Sequence, residues 1–172
     1  ATDHGADVIN LSLGTTSSNA GVTLADSSAY AADKGVIIVA AAGNFGSTAT
    51  CYPAGNSNVI GVASVDSSLE RSSFSQYNDS VDVAAPGGMV CGANLYADGT
   101  GAVTTASYTT DSGTSYAAPV VSALAAIATA VTTRCLKPKN AVLLAAVCNI
   151  LGILLIGVVG AYLTDFGSVA KT

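Results

Sequence analysis

The 172 residues suit one domain of ordinary size, or one domain with an appendage. The net charge is −5 at pH 7 and the basic residues form no stripe, so we expect no nucleic-acid partner. Half of the residues are hydrophobic and only 10% are charged, which is too apolar for a typical soluble domain. The excess lies near the end of the sequence, where residues 140–164 contain no charge.

The first half of the sequence alternates between strand and helix patterns. Residues 7–14 read Asp-Val-Ile-Asn-Leu-Ser-Leu-Gly, a short apolar run that predicts a buried strand. Residues 20–34 favour a helix that ends at Gly35. Further strands are predicted at residues 35–42, 58–64 and 80–85. The alternation, with strands buried on both faces, predicts an α/β domain with a mainly parallel sheet.

A ribbon with turns is predicted from residue 88 to residue 110, and a helix follows it. Gly113 permits a tight turn, Thr114 is a natural N-cap, and Ser115 falls in the first turn of an apolar segment that runs to Val131. A serine there presents its hydroxyl at the positive end of the helix, which suits a nucleophile. The ordinary alternative is a serine that only caps the helix.

The four cysteines are not spaced as a metal site. No Cys-x-x-Cys pair occurs, and the single histidine, His4, is far from Cys51, Cys91, Cys135 and Cys148 in the sequence. One interpretation pairs Cys51 with Cys91 in a disulfide, which requires a secreted domain. In the other, all four are small buried thiols.

Three segments stand out by their residues and their order. Residues 8–14 read Val-Ile-Asn-Leu-Ser-Leu-Gly, residues 39–44 read Val-Ala-Ala-Ala-Gly-Asn, and residues 113–119 read Gly-Thr-Ser-Tyr-Ala-Ala-Pro. Together they resemble the subtilisin-like serine proteases, peptidase family S8. Shorter matches lie at residues 52–54, 59–66, 71–75 and 82–87, so the resemblance covers about residues 5–128. It implies a subtilisin-like three-layer fold and peptide-bond hydrolysis.

The resemblance also assigns roles at the site. Ser115 would be the nucleophile, and Asn44 would stabilise the oxyanion, although Gly-Asn is also an ordinary turn dipeptide. Backbone groups for an extended peptide or protein substrate would come from Ser12, Leu13 and Gly14, and a pocket with small walls from Ala41, Ala42 and Gly43. Tyr116 stands where the family often has methionine, and we expect it behind the nucleophile. No cofactor is expected in this segment, while the resemblance leaves room for calcium in a complete domain.

The family's catalytic Asp and His precede the first of these segments along the chain, and neither is found here. His4 is followed by Gly5, as the family's histidine is, but strand residue Val8 comes only four positions later. No helix and crossover fit into that gap, so we expect His4 to end a preceding helix. We interpret the chain as the C-terminal part of a catalytic domain that is inactive alone, because Ser115 has no base. A pseudoprotease that only binds peptides is an alternative.

The end of the sequence departs from this pattern. Residues 141–163 are uncharged and would form a helix of roughly 35 Å, long enough to span a bilayer, with Gly157 and Ala161 suited to helix contact. We therefore predict a protease-like region, residues 1–130, and a hydrophobic helical, transmembrane region, residues 131–172. The expected location is secreted or membrane-associated, with the protease part extracellular.

The basic residues that precede the span contradict that location. By the positive-inside rule, Arg134, Lys137 and Lys139 place the N-terminal side of the span in the cytoplasm. Residues 126–152 and 168–172 resemble the PiT family of inorganic phosphate transporters, although the phosphate-binding Asn-Asp signature is absent. A fragment of a membrane transport protein is therefore an alternative function, and a chimera would remove the contradiction. A plain hydrophobic anchor or a core helix is the ordinary alternative to this resemblance.

Overall fold

The computed structural model describes residues 1–97 and 103–132. Contacts divide the chain into two compact units, Ala1–Ile127 and Ala128–Thr172, and only residues 128–132 of the second are described. A short 3-10 helix opens the chain at Thr2–His4. The other elements are β1 (Val8–Leu11), α1 (Ser18–Asp33), β2 (Ile37–Ala41), β3 (Ile60–Val65), β4 (Val83–Pro86), β5 (Val90–Ala97), β6 (Val103–Asp111) and α2 (Thr114–Ala130).

The first four strands form a parallel sheet in the order β1-β2-β3-β4, as the alternating pattern predicted. β4 ends at Pro86, which has no N–H to donate and is tolerated because β4 lies at the edge of this sheet. β5 and β6 pair antiparallel, which confirms the ribbon predicted after residue 88. All four parallel strands therefore direct their carboxyl ends to one edge of the sheet.

The sheet has an apolar cluster on each face, because successive side chains of β2 point to opposite sides. Ile38 and Ala40 pack with Ala31 of α1 on one face. On the other face, Val39 and Ala41 pack with a cluster that includes Ala117 and Ala118 of α2. The sheet thus lies between two helices, which confirms the three-layer α/β arrangement.

The C-terminus of α1 shows why the predicted helix stops where it does. Gly35 has a φ of 80°, in the left-handed region that favours glycine. Its N–H donates to Ala32 O at 2.8 Å, and the N–H of Val36 donates to Ala31 O at 3.0 Å. This pair of bonds is a Schellman motif, and it feeds the chain directly into β2.

The two described cysteines contradict both interpretations made from the sequence. Cys51 is buried and Cys91 is exposed, and both are free. The predicted Cys51–Cys91 disulfide is therefore wrong, and so is the expectation that every thiol is buried. Cys135, Cys148 and the predicted span at residues 141–163 lie outside the described residues. Within residues 1–97 and 103–132, no helix has the length and apolarity needed to cross a membrane.

Candidate active site

The chain segments that follow β1 and β2 meet the start of α2 at a cavity of about 200 Å³. The cavity is lined by Leu13, Gly14, Ala41, Gly43, Asn44, Phe45, Cys51, Thr114 and Ser115. Two larger cavities, of about 620 and 490 Å³, share Tyr77, Asn78 and Asp79 among their lining residues, and none of the predicted site residues lines either cavity. The smaller cavity is the one that brings together the predicted nucleophile, the predicted oxyanion donor and the predicted substrate segments.

Two predicted site residues are not among the residues that line the cavity. Ser12 contacts Ser115 directly instead. Ala42 is buried, and its N–H donates to the carbonyl of Val62 at 2.9 Å. Ala42 therefore supports the pocket wall through the sheet rather than facing the cavity.

The turn that carries Ser115 is held against the end of β4. The N–H of Gly113 donates to Gly87 O at 2.8 Å, and a Cβ on Gly87 would lie 2.6 Å from Gly113 O. A residue other than glycine at position 87 would push the turn away from the sheet. Ser115 follows as the second residue of α2, half-buried at the positive end of the helix, as predicted.

Ser115 and Ser12 hold each other through two hydrogen bonds. The Ser115 hydroxyl donates to Ser12 O at 3.2 Å, and the Ser12 hydroxyl donates to Ser115 O at 2.7 Å. Within the part of the chain that the structure describes, no imidazole or carboxylate is hydrogen-bonded to Ser115 Oγ. The hydroxyl proton therefore faces a main-chain carbonyl, which is not a general base. His4 is exposed at the end of the short 3-10 helix, as expected.

Asn44 is oriented by Thr114. Its Oδ1 accepts from the N–H of Thr114 at 2.9 Å and from the Thr114 hydroxyl at 2.7 Å. Because a main-chain N–H only donates, the atom that faces it must be the oxygen of the amide. Nδ2 then lies beside the α-carbon of Gly113, where a Cβ would be 3.3 Å away, and no described residue accepts its protons. The arrangement leaves both N–H protons of Asn44 Nδ2 without a described acceptor, at the cavity that Asn44 and Ser115 both line.

The segment after β1 has free main-chain groups. Thr15 and Tyr52 exchange two hydrogen bonds, of 2.9 and 2.7 Å, which anchors the far end of this segment. Among the described residues, no main-chain group bonds to the N–H or C=O groups of Leu13 and Gly14. Leu13 is also exposed. An extended peptide could pair with these groups as an added strand.

Cys51 forms part of the cavity wall. Its Sγ would lie 2.5 Å from a Cβ on Gly14 and 3.2 Å from a Cβ on Gly43, so both glycines are needed for this packing. The side chain is 1% exposed, and burial raises the pKa of the thiol above its ordinary value of 9.0. The wall is therefore uncharged at neutral pH.

Tyr116 does not lie behind the nucleophile, contrary to expectation. Its ring is partly exposed, and its hydroxyl donates to Asp111 Oδ2 at 2.9 Å. The N–H of Ser112 and, second, the Tyr116 hydroxyl lower the pKa of the Asp111 carboxyl. Tyr116 therefore links the end of β6 to the first turn of α2.

Several contributors to the site were missed from the sequence. Thr114 was expected only to cap its helix, whereas its hydroxyl donates to Asn44 and accepts from the N–H of Gly43 at 3.2 Å. Asn10 Nδ2 donates to the Ser12 hydroxyl, and the Ser122 hydroxyl donates to Asn10 Oδ1. Their sequence spacing could have indicated these contacts. Asn10 and Ser12 are two residues apart, which places them on the same side of a strand, and Ser122 follows Ser115 by two helical turns, which places them on the same side of the helix.

A metal site is not formed by the described residues. Within residues 1–97 and 103–132, no group of three or more His, Cys, Asp or Glu side chains could hold a metal ion. The expectation of calcium in a complete domain stays a prediction.

Comparisons with known proteins show what the chain is similar to. A family model described as "Peptidase_S8: Subtilase family" matches residues 1–145. Thermitase from Thermoactinomyces vulgaris is 47% identical over 127 residues, which is 74% of this chain and 42% of that protein. Subtilisin DY from Bacillus licheniformis is 41% identical over 131 residues, which is 74% of this chain and 44% of that protein. The chain thus spans less than half the length of these relatives.

Among solved structures, a protease from Pseudoalteromonas arctica PAMC 21717 superposes with a TM-score of 0.63 at 32% identity, covering 78% of this chain and 42% of that one. The prenylagaramide maturation protease PagA has the same TM-score at 28% identity, covering 76% and 46%. The family match extends beyond residue 128 into the segment with the transporter-like sequence. These comparisons give the phosphate transporter resemblance no support.

Proposed function

The chain belongs to the subtilase family, and on that premise we propose that its described residues form the nucleophile half of a serine endopeptidase site. The proposal rests mainly on the fact that Ser115, Asn44 and Gly14 line one cavity. These segments are remote in sequence: Ser12 contacts Ser115, 103 residues away, and Asn44 contacts Thr114, 70 residues away. A serine that only caps a helix and an asparagine that only forms a turn need not lie in the same cavity. An acyl-transfer site requires its nucleophile and its oxyanion donor to lie together.

Ser115 is the proposed nucleophile. Its Oγ would attack the carbonyl carbon of an extended peptide, forming the Oγ–C bond while the hydroxyl proton passes to a base. The carbonyl oxygen then carries the negative charge, and Asn44 Nδ2, which has free protons beside Gly113, would donate to it. Because Oδ1 is already held by Thr114, the amide is oriented before the substrate arrives. Preorganisation of this kind is what makes such a donor effective.

The substrate would be a peptide or protein that pairs with Leu13 and Gly14. The free main-chain groups of these residues support pairing, and the neighbouring cavity would take the side chain before the scissile bond. The cavity is lined mainly by small or uncharged side chains, including Ala41 and the neutral thiol of Cys51. An uncharged side chain therefore fits it better than a charged one.

The base is the part that the described residues do not supply. The sequence holds one histidine, His4, and Ser115 Oγ donates to a carbonyl instead. Residues 1–172 alone are therefore proposed not to hydrolyse peptides, since a serine hydroxyl without a base is a poor nucleophile. The Asp–His pair implied by the family would have to come from another segment. An extracellular location is part of the same proposal.

Chemical rescue tests this assignment. A fluorophosphonate probe labels a serine when the Oγ–P bond forms, the P–F bond breaks, fluoride leaves and the proton goes to a base. Imidazole has a pKa near neutrality, so at pH 7.5 it can act as the missing base. We expect labelling of Ser115 that rises with imidazole concentration and disappears in Ser115→Ala. Labelling that persists in Ser115→Ala would refute the nucleophile, and peptide hydrolysis without imidazole would refute the claim of inactivity.

The second candidate function is peptide binding without cleavage. It is favoured by the same free groups of Leu13 and Gly14 together with the absence of a described base beside Ser115. Binding of a fluorescent peptide with no imidazole-dependent labelling would select this function. Labelling with imidazole would select the protease.

A further inference from the structure

A chain of hydrogen bonds runs from the buried side of α2 to Ser115. The Ser122 hydroxyl donates to Asn10 Oδ1 at 2.9 Å, and Asn10 Nδ2 donates to the Ser12 hydroxyl at 2.9 Å. The Ser12 hydroxyl donates in turn to Ser115 O at 2.7 Å. Every link joins a donor to an acceptor, so the direction of the chain is consistent from end to end.

These hydrogen bonds connect β1 and α2, two elements that are remote in sequence. Asn10 belongs to β1 and Ser12 follows it, with both side chains on the same side of the extended backbone. Ser122 lies two helical turns after Ser115, on the same side of α2. The bonds therefore tie the end of β1 to the helix that carries the nucleophile.

Ser122 is the fixed end of the chain. It is 9% exposed, and its single hydroxyl proton is shared between Asn10 Oδ1 and Ala118 O, which lies 3.0 Å from Ser122 Oγ, whereas Asn10 and Ser12 are exposed. Exposed polar side chains are held weakly because water competes for their hydrogen bonds. A buried anchor at Ser122 restricts Asn10, and Asn10 restricts Ser12.

We propose that Ser122, acting through Asn10 and Ser12, is a positioning residue that holds Ser115 in register with the peptide-pairing segment Ser12–Gly14. The inference rests on the proposed function, in which Ser12–Gly14 place the substrate and Ser115 attacks it. Ser12 takes part in both tasks, because its hydroxyl holds Ser115 O while its own carbonyl accepts from Ser115 Oγ. A displacement of ~1 Å between reacting groups can cost about 10²-fold in rate.

The test compares variants that remove one link each. Ser122→Ala removes the anchor, and Asn10→Asp keeps the acceptor for Ser122 but removes the donor to Ser12. Ser122→Thr keeps the hydroxyl and should restore the link. Ser28→Ala is the matched control, because Ser28 is a buried α1 serine, 6% exposed, whose hydroxyl bonds to the carbonyl of Leu24 at 2.8 Å.

The first measurement is the rate of imidazole-dependent fluorophosphonate labelling of residues 1–172. We expect a decrease of about 10-fold in Ser122→Ala and in Asn10→Asp, within the range that small misplacements produce. Ser122→Thr should recover most of the rate, and Ser28→Ala should match the wild type. Equal rates in Ser122→Ala and Ser28→Ala would overturn the proposal.

The second measurement does not depend on reactivity. The backbone and Cβ chemical shifts of Ser115 are expected to move in Ser122→Ala and Asn10→Asp, and to stay unchanged in Ser28→Ala. If the chemical shifts of Ser115 were unchanged in both Ser122→Ala and Asn10→Asp, the positioning role would be overturned, even if no protein were labelled. Absent labelling with shifted Ser115 signals would instead refute the proposed function and leave the hydrogen-bond chain supported.

Discussion

Asn44 Oδ1 accepts two hydrogen bonds from Thr114, one from its N–H at 2.9 Å and one from its hydroxyl at 2.7 Å. The Thr114 hydroxyl also accepts from the N–H of Gly43 at 3.2 Å. The residue before the proposed nucleophile therefore fixes both the amide of Asn44 and the backbone that carries it. The orientation of the proposed oxyanion donor therefore depends on Thr114, the first residue of α2.

Asn44→Asp is predicted to lower labelling without unfolding the protein. The aspartate keeps an oxygen for both Thr114 bonds but replaces the free Nδ2 donor with a negative oxygen, which repels the developing oxyanion. If Asn44 acts as proposed, the imidazole-dependent labelling rate should fall by roughly 10²- to 10³-fold, which is the loss of turnover when the oxyanion-hole asparagine of subtilisin is removed. Asn19→Asp, which changes an exposed α1 residue in the same way, should label like the wild type. A rate above one-tenth of the wild-type value would count against the oxyanion role.

Thr114→Val is predicted to destabilise the fold and the site together. Valine has nearly the same shape, but it cannot donate to Asn44 Oδ1 or accept from the N–H of Gly43. Because Thr114 is fully buried, the loss should be about 1–3 kcal/mol in the free energy of unfolding, measured with urea. Thr23→Val, on the exposed face of α1, is the control and should change stability by about 0.5 kcal/mol or less. Equal midpoints for the two variants would contradict the proposed role of Thr114.

The sequence was sufficient to predict the two central strands, β2 and β3, because both are buried on both faces of the sheet. The runs that became β2 and β3 contain almost only small and β-branched residues, and no alternative element accommodates them as well. Gly35 also marked the end of α1 correctly, since the Schellman turn requires a positive φ. These are local signals, and each acts within a few residues.

The geometry of the site depended on long-range contacts that no local pattern contains. Thr114 resembled a helix cap because threonine commonly is one, and its bonds to Asn44 require the end of β2 to lie beside α2. Cys51 gave no sign of lying under Gly14 for the same reason. Family resemblance indicated Ser115 and Asn44 as candidate site residues, but it carried no information about Ser122, whose proposed role requires β1 to lie beside α2.

Gly14→Ala is predicted to be destabilising because of one neighbour. The new Cβ would lie 2.5 Å from Cys51 Sγ and 3.2 Å from Tyr52 O, so Cys51 must move. Overpacking of this kind costs about 1–3 kcal/mol in the free energy of unfolding. In the double variant with Cys51→Ala the main clash is removed, and we expect most of that loss to vanish.

Urea unfolding of the four proteins in this cycle gives the coupling between the two positions. Gly92→Ala is the matched control, since a Cβ at Gly92 meets nothing within 4 Å. Strictly additive effects of Gly14→Ala and Cys51→Ala would show that Cys51 does not limit the space beside Gly14.

Asp111 is predicted to titrate below its ordinary pKa of 3.8, because the Ser112 N–H and the Tyr116 hydroxyl favour its charged form. A carboxyl with a lowered pKa stabilises the folded state above its unfolded pKa, and this contribution is lost as the pH falls through the folded value. Tyr116→Phe should raise the pKa toward 3.8 without reaching it, because the larger contribution of Ser112 remains. Carbon-13 NMR titration of the Asp111 carboxyl measures the shift. Tyr108→Phe, at a tyrosine 81% exposed, should leave it unchanged, and an unchanged pKa in Tyr116→Phe would exclude the bond in solution.

Gln76→Met is predicted to loosen the loop that carries Asn44. The buried Gln76 amide accepts from the N–H of Phe45 at 2.9 Å and donates to Ala49 O at 2.9 Å, and it also contacts Ser47. Methionine fills similar space but leaves these groups without partners, which should cost about 1–3 kcal/mol in the free energy of unfolding. Ser47→Ala removes only the hydroxyl among these contacts, so its effect should be smaller.

The comparison with Asn44→Asp separates two ways of losing the site. In Gln76→Met, urea stability and imidazole-dependent labelling should fall together, because Asn44 precedes Phe45 and moves with the loop. In Asn44→Asp, labelling should fall while stability stays close to the wild type, because both Thr114 bonds are kept. If Gln76→Met lost stability but labelled at the wild-type rate, Asn44 would be held by Thr114 alone, and Gln76 would act only on the fold.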